Sequence, residues 1–253
     1  MLSRGPHEDW LTEHRRIWAR KPFLRAVYER WFALLRGRCG GGPIVELGCG
    51  PGFFKQAFPE VVSTDVTPNP YADCLADARA LPFAADTLGA IVMIDVFHHL
   101  PDPAAFLREA GRALRPGGRV VLIEPWISVA GRLLWTYLHH EDCDLAVSPA
   151  APWGGGAKDP MDGNAALPWL YFRPGGELER LSLDLTVVER QPFAGLPWLM
   201  SGGFQPVRLA PGGLAAWIER LDRAVSRLPA WTATRCVITL ERAARPSAIP
   251  VRV

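Results

Sequence analysis

An α/β fold built on a mainly parallel sheet is predicted for this 253-residue chain. Short apolar runs alternate with helix-length amphipathic segments between about residues 44 and 124, the pattern of βαβ units. Hydrophobic residues make up 49% of the chain and charged residues 21%, enough to fill a core and too apolar for disorder. A glycine-rich turn, Gly48-Cys49-Gly50-Pro51-Gly52, follows the first apolar run, where an open sheet of this class binds ligands. The length suits one domain with an elaboration: a helical cap (1–42), a binding core (43–124), an insertion over the cleft (125–182) and a C-terminal part completing the sheet (183–253).

From Trp10 to Leu35 apolar residues recur at helical spacing, which predicts one or two helices broken near Pro22. Their Arg-rich opposite face reads as solvated surface. Cys39-Gly-Gly-Gly-Pro43 then punctuates the chain. Strands are expected at Ile44–Leu47, Val61–Asp65, Asp73–Ala76, Leu88–Ile94 and Arg119–Glu124, with helices starting near Gly52 and Asp102. The second helix meets a stop signal in Leu114-Arg115-Pro116-Gly117-Gly118. Beyond Glu124 regularity fails for about sixty residues that hold Trp126, Trp135, Trp153 and Trp169 among many Pro and Gly, hence the insertion. Strand patterns resume at Leu183–Arg190 and Cys236–Glu241, around a helix from about Gly213 to Leu228.

Lys and Arg number 28 against 26 Asp and Glu, a net +2, so charge gives no reason to expect a nucleic-acid or anionic-membrane partner. The five cysteines are scattered and never form CxxC, which signals neither disulfides nor zinc and fits a reducing compartment. No apolar run is long enough to span a bilayer, and the first residues lack a signal-peptide core. A cytoplasmic protein without an integral membrane segment is expected; its oligomeric state is not legible.

Glu46 ends the first buried strand, and the glycines that follow suit a turn with positive φ against which a ligand can lie. Asp65 ends the second strand, where a carboxylate can accept from two vicinal ribose hydroxyls. Asp77 lies in Leu75-Ala76-Asp77-Ala78 and can accept from an adenine amino group; Asp95 ends the next strand in Ile94-Asp95-Val96-Phe97-His98-His99-Leu100.

These segments resemble the class I S-adenosylmethionine-dependent methyltransferases, in particular the small-molecule group called methyltransferase type 11. The resemblance rests on Glu46 to Gly52, Asp65, Asp77 to Phe83, Asp95 to Leu100 and Arg112 to Gly118, in the family's order across roughly a third of the chain. It implies a Rossmann-like seven-stranded sheet with its last strand antiparallel, and S-adenosyl-L-methionine as cofactor. It further implies that Glu46, Gly48, Cys49, Gly50 and Gly52 shape the methionine side, that Asp65 and Val66 hold the ribose and that Asp77 and Ala78 read the adenine. Asp95, Val96 and His98 then lie beside the sulfonium and the substrate. Val66-Thr67-Pro68 departs from the family by lacking a clear helix start, so the helix after Asp65 is expected to be short or missing. A nicotinamide cofactor is disfavoured because the spacing is Gly-x-Gly-x-Gly, and because acids beside a cation are favourable.

His98, His99 and His140 are the candidate catalytic bases, the last from His139-His140-Glu141-Asp142 in the insertion. That run has no distant partner in sequence, so no metal site is expected. Asp95-Val96-Phe97-His98 is not the Asn- or Asp-Pro-Pro-aromatic motif of amide-directed methyltransferases, which points away from macromolecular amines. Aromatic walls suit an apolar or planar acceptor, and the uncharged loop Pro192–Phe204 is read as pocket lining in preference to a membrane contact. The expectation is O-methylation of a small apolar, aromatic or lipid-like molecule. C- or N-methylation, and a non-catalytic protein on the same fold, are the alternatives.

Overall fold

The computed structural model describes residues 6–139, 141–153, 159, 161–207, 209–210 and 212–244. Two helices open the chain, α1 (Pro6–Arg20) and α2 (Pro22–Arg38), separated at Lys21 because Pro22 occupies the first turn of the second. The core follows as β1 (Ile44–Leu47), α3 (Phe53–Ala57), β2 (Val62–Asp65), β3 (Cys74–Leu75), β4 (Leu88–Ile94), α4 (Pro103–Ala113) and β5 (Leu114–Pro125). Then come α5 (Val129–Leu133), a π-helical turn (Leu134–Leu138), α6 (Leu167–Phe172), α7 (Glu177–Arg180), β6 (Leu185–Phe193), α8 (Leu196–Ser201), α9 (Ala215–Val225), α10 (Pro229–Thr232) and β7 (Arg235–Arg242).

The seven strands form one sheet in the order β3-β2-β1-β4-β5-β7-β6. All neighbouring pairs from β3 to β5 are parallel, and β7 runs antiparallel to both β5 and β6. The period-2 alternation of the central strands divides the core between the two faces. Ile44, Ala90, Val92, Val121 and Ile123 face the N-terminal helices with Leu24, Trp31 and Leu35. Val45, Leu47, Ile91, Met93, Val120 and Leu122 pack on the other side against Phe106, Leu107 and Ala110 of α4 and Leu167 and Leu170 of α6.

Several boundaries differ from expectation for local reasons. The strand expected at Arg119–Glu124 begins at Leu114, because Leu114 already pairs with Leu88 before a register shift carries the ladder past the Pro-Gly-Gly bend. β3 keeps only Cys74 and Leu75 of the expected Asp73–Ala76. The C-terminal helix spans Ala215–Val225, and β6 starts two residues later than Leu183. Between β2 and β3 the chain forms no helix. Thr67 and Asn69 fold back onto Asp65 instead, and Pro68 and Pro70 supply no backbone donor for a helical turn. Pro192–Phe204 is not a plain loop: it contains the end of β6 and the whole of α8. No described helix is long and apolar enough to cross a membrane, and all five cysteines are thiols.

Candidate active site

The C-terminal ends of β1, β4 and β5 open onto a cavity of about 790 Å³. Because β7 is antiparallel to β5, its first residue, Arg235, sits opposite Pro125 at the same edge of the sheet and also lines the cavity. Helix α1 covers one side with Trp10 and His14, and α8 and the segment after it close another with Trp198, Leu199 and Phe204. The insertion supplies Leu134, Trp135, Leu138, His139 and Glu141. Of the insertion's four tryptophans, Trp126, Trp135, Trp153 and Trp169, Trp135 lines the cavity; Trp153 donates instead to the Leu100 carbonyl, at 2.9 Å.

The glycine turn has the conformation its composition suggests. Gly48 and Gly52 both have positive φ, 66° and 75°, and a Cβ on Gly48 would come within 2.7 Å of the Val96 side chain. Behind the turn, Glu46 is buried and accepts a 2.6 Å hydrogen bond from the Ser63 hydroxyl. Burial pushes its carboxyl up to about 8, with the nearby Asp65 charge adding to the effect against the Ser63 bond. Burial likewise pushes the Cys49 thiol up, helped by Glu46 and Asp65, so it stays neutral.

Asp65 holds the turn from outside: its carboxylate accepts from the Gly50 N–H at 3.2 Å, from Asn69 Nδ2 at 2.9 Å and from Thr67. Asp77 pairs with the Arg79 guanidinium at 2.7 Å, which lowers its carboxyl. Of the cofactor candidates, Glu46, Gly48, Cys49, Gly50, Asp95 and Val96 line the cavity. Gly52, Asp65, Val66, Asp77 and Ala78 are not in its wall.

Asp95 has a left-handed backbone, φ 55°, rare for a residue with a side chain, and its carboxylate lies 2.5 Å from Arg235 Nη1. The Arg235 guanidinium is buried against the faces of Trp198, Trp31 and Trp135, with centroids 4.1, 4.9 and 5.6 Å away, and its Nε has no partner.

Opposite this pair lies a second polar cluster. Glu124, fully buried at the end of β5, accepts from the Val96 and Phe97 N–H groups at 2.8 and 2.7 Å and from His98 Nδ1 at 2.6 Å. His98 Nε2 faces Glu141 Oε2 at 3.1 Å, and His99 Nε2 faces Glu141 Oε1 at 3.4 Å. Burial opposes a charge on His98, but Glu124 and Glu141 outweigh it and push the imidazole up to about 10. Burial also works against the Glu141 carboxylate, yet its contacts with His98 and His99 hold it below the usual range. His140 lies outside the described residues.

Arg235 and Glu124 were missed as site residues by sequence reasoning. Both carry readable signals: Glu124 is an acid ending a buried strand, as Glu46 and Asp65 are, and Arg235 opens a strand expected to be antiparallel, which brings its first residue to the binding edge.

A family model described as a methyltransferase domain, type 11, matches residues 45–122. A methyltransferase of Mycobacterium sp. (strain JLS) without assigned function is 33% identical over 110 residues, 38% of this chain and 44% of the relative. The chain's match thus spans less than half the length of this relative. Methyltransferase GfsG of Streptomyces halstedii is 44% identical over 59 residues, covering 23% of this chain and 20% of its own. The 27-O-demethylrifamycin SV methyltransferase of Amycolatopsis mediterranei is 40% identical over 47 residues, 19% of this chain and 17% of its own. In fold, the chain is similar to a chain from the Haloferax volcanii complex of a methyltransferase with the Trm112 methyltransferase activator, at TM-score 0.51 and 15% identity, covering 96% of this chain and 100% of that one. Residues 45–122 thus match the methyltransferase domain family of type 11, and they lie within a seven-stranded sheet whose fold is similar to that of the Haloferax volcanii chain.

Proposed function

We propose that this chain is an S-adenosylmethionine-dependent methyltransferase acting in the cytoplasm on a small apolar, aromatic or lipid-like molecule, at oxygen in preference to carbon or nitrogen. The observation that carries this reading is that the glycine turn, the acids Glu46 and Asp95, the aromatic walls and the His98–His99–Glu141 cluster all open on one cavity, whose size is typical of ligand sites. The residues suit a sulfonium cofactor: among the described lining residues the only Arg or Lys is Arg235, whose charge is taken by Asp95, while Glu46 is a buried carboxyl that a neighbouring cation would ionise.

S-adenosylmethionine, when bound, supplies an electrophilic methyl group on positively charged sulfur. Gly48, Cys49 and Gly50 would hold its methionine part, with Gly52 shaping the turn. Asp65 and Val66 would hold the ribose, and Asp77 and Ala78 the adenine. Trp135, Trp198 and Phe204 would orient the acceptor and keep water from it, and such alignment is worth up to about 7–11 kcal/mol of the barrier. An acceptor oxygen would take that methyl group, with the sulfur keeping the electron pair of the bond it gives up. The acceptor's proton would pass to His99, or to His140 in the insertion, while His98, kept protonated by Glu124 and Glu141, would hold the Glu141 carboxylate in place. The stretch shared with a relative named for a 27-O-demethyl acceptor favours oxygen as the methylated atom.

The test is transfer of radiolabelled methyl from S-adenosylmethionine to a panel of phenols, hydroxylated macrolactones, carboxylic acids and primary amines. Labelled oxygen ethers or esters are expected. Label appearing only in amines, or no acceptor labelled by protein that binds the cofactor, would contradict the substrate reading.

A further inference from the structure

We propose that His98, His99 and Glu141 form a binding site for one divalent transition-metal cation of the zinc class, in the cavity wall. The two rings come from the short helical turn after β4 and the carboxylate from the insertion, so the fold supplies the distant partner that the His139–Glu141 run lacks in sequence. The tautomers follow from the partners. His99 Nδ1 lies 2.9 Å from the Asp162 carbonyl, which can only accept, and His98 Nδ1 lies 2.6 Å from a Glu124 carboxylate already engaged by two backbone N–H groups. Each Nδ1 is therefore the donor, and both Nε2 atoms point at the two oxygens of Glu141. Without metal a proton on His98 Nε2 bridges to Glu141; a bound divalent cation would displace that proton and be shared by both rings and the carboxylate.

Imidazoles held through the far nitrogen by a carboxylate and a backbone carbonyl have the outer-shell arrangement of metal-ligating histidines. The Nε2-to-carboxylate separations, 3.1 and 3.4 Å, match those between ligands about 2.1 Å from a tetrahedral ion. Gly163 makes the convergence possible, since a Cβ there would lie 2.9 Å from His99 and 3.0 Å from His98. A second possible donor set among the described residues, Asp95, His98 and Glu124, is less suited, because Arg235 and two backbone donors already occupy its carboxylates. Two histidines and one glutamate leave a fourth coordination position, which suits an acceptor oxygen. The site stands on geometry alone; only its use in gripping the acceptor rests on the methyltransferase reading.

The test uses the full chain, stripped with a chelator, titrated with Zn²⁺ by calorimetry and with Co²⁺ by visible absorption. One equivalent should bind with micromolar or tighter Kd and Co²⁺ should develop ligand-field bands. His99→Ala should weaken binding at least tenfold, and Glu124→Gln roughly 10- to 100-fold without touching the ion. Cys74→Ser, at an exposed thiol, should leave it unchanged. No stoichiometric binding, or equal affinity in His99→Ala, overturns the site; a proton then fills the gap. Circular dichroism establishes folding, and if Glu124→Gln fails to fold, His99→Ala decides alone. S-adenosylmethionine titrated into the metal-free protein separates the two claims: cofactor binding without metal binding overturns the metal site and leaves the methyltransferase reading standing, and metal binding without cofactor binding does the reverse.

Discussion

Arg235 carries the highest electrostatic stakes of any residue in the cavity. Its guanidinium is buried under three tryptophan faces and neutralises Asp95, which keeps a left-handed backbone that places its carboxylate at the cavity floor. Removing one partner of a buried ion pair typically costs about 3–5 kcal/mol, and since the Asp95 side chain is 27% exposed, Arg235→Met should fall at or below the low end of that range in urea unfolding. Stability equal to wild type would show that the pair holds nothing together. Glu46 makes a pH-dependent contribution of the opposite kind. Its folded-state pKa is raised, so it stabilises the apo protein below about 4.5 and that contribution is lost as the pH rises through about 8. Glu46→Gln, which keeps an acceptor for Ser63, should flatten this decline when unfolding is measured across the same window; parallel pH profiles would refute the assignment.

Among the elements, the loop that walls the cavity after α8 depends on one side chain from the α1–α2 junction. Lys21 Nζ donates to the carbonyls of Ser201, Gly203 and Val207 at 2.8, 2.9 and 2.6 Å. Leaving such a buried acceptor unsatisfied costs about 1–3 kcal/mol, so Lys21→Met should lower stability by at least that amount and speed amide exchange in 201–207. Unchanged exchange there would mean the wall is held by packing of Trp198 and Phe204 instead. The same scale explains what the sequence made legible. β1 and β4 fell where their unbroken apolar runs placed them, and the order of turn, acid and helix fixed the binding edge. The missing helix after β2 was foreshadowed by Pro68, but its replacement, side chains of Thr67 and Asn69 folding onto Asp65, is a tertiary choice with no periodic signature. The convergence of His98, His99 and Glu141 was invisible for the same reason, because it joins residues about forty apart through an irregular segment.

For the molecule as a whole, the binding edge is closed by segments that lie outside the matched domain. Helices α1 and α2 cover one face of the sheet and α6 the other, and each contributes to a continuous core with the central strands. The cavity lies where these layers and the end of β7 meet, so ligand binding should tighten the entire fold. S-adenosylmethionine at a hundred times its Kd should add about 2.7 kcal/mol to unfolding and raise Tm accordingly, whereas an unchanged Tm would place the ligand elsewhere or nowhere. The most direct measurement is calorimetric titration of the purified chain with S-adenosylmethionine and S-adenosylhomocysteine, with NADH and NADPH alongside. Stoichiometric binding of the two adenosyl compounds alone, abolished by Gly50→Val, is the predicted result. A folded protein that binds neither would contradict the account and leave a methyltransferase fold without its cofactor.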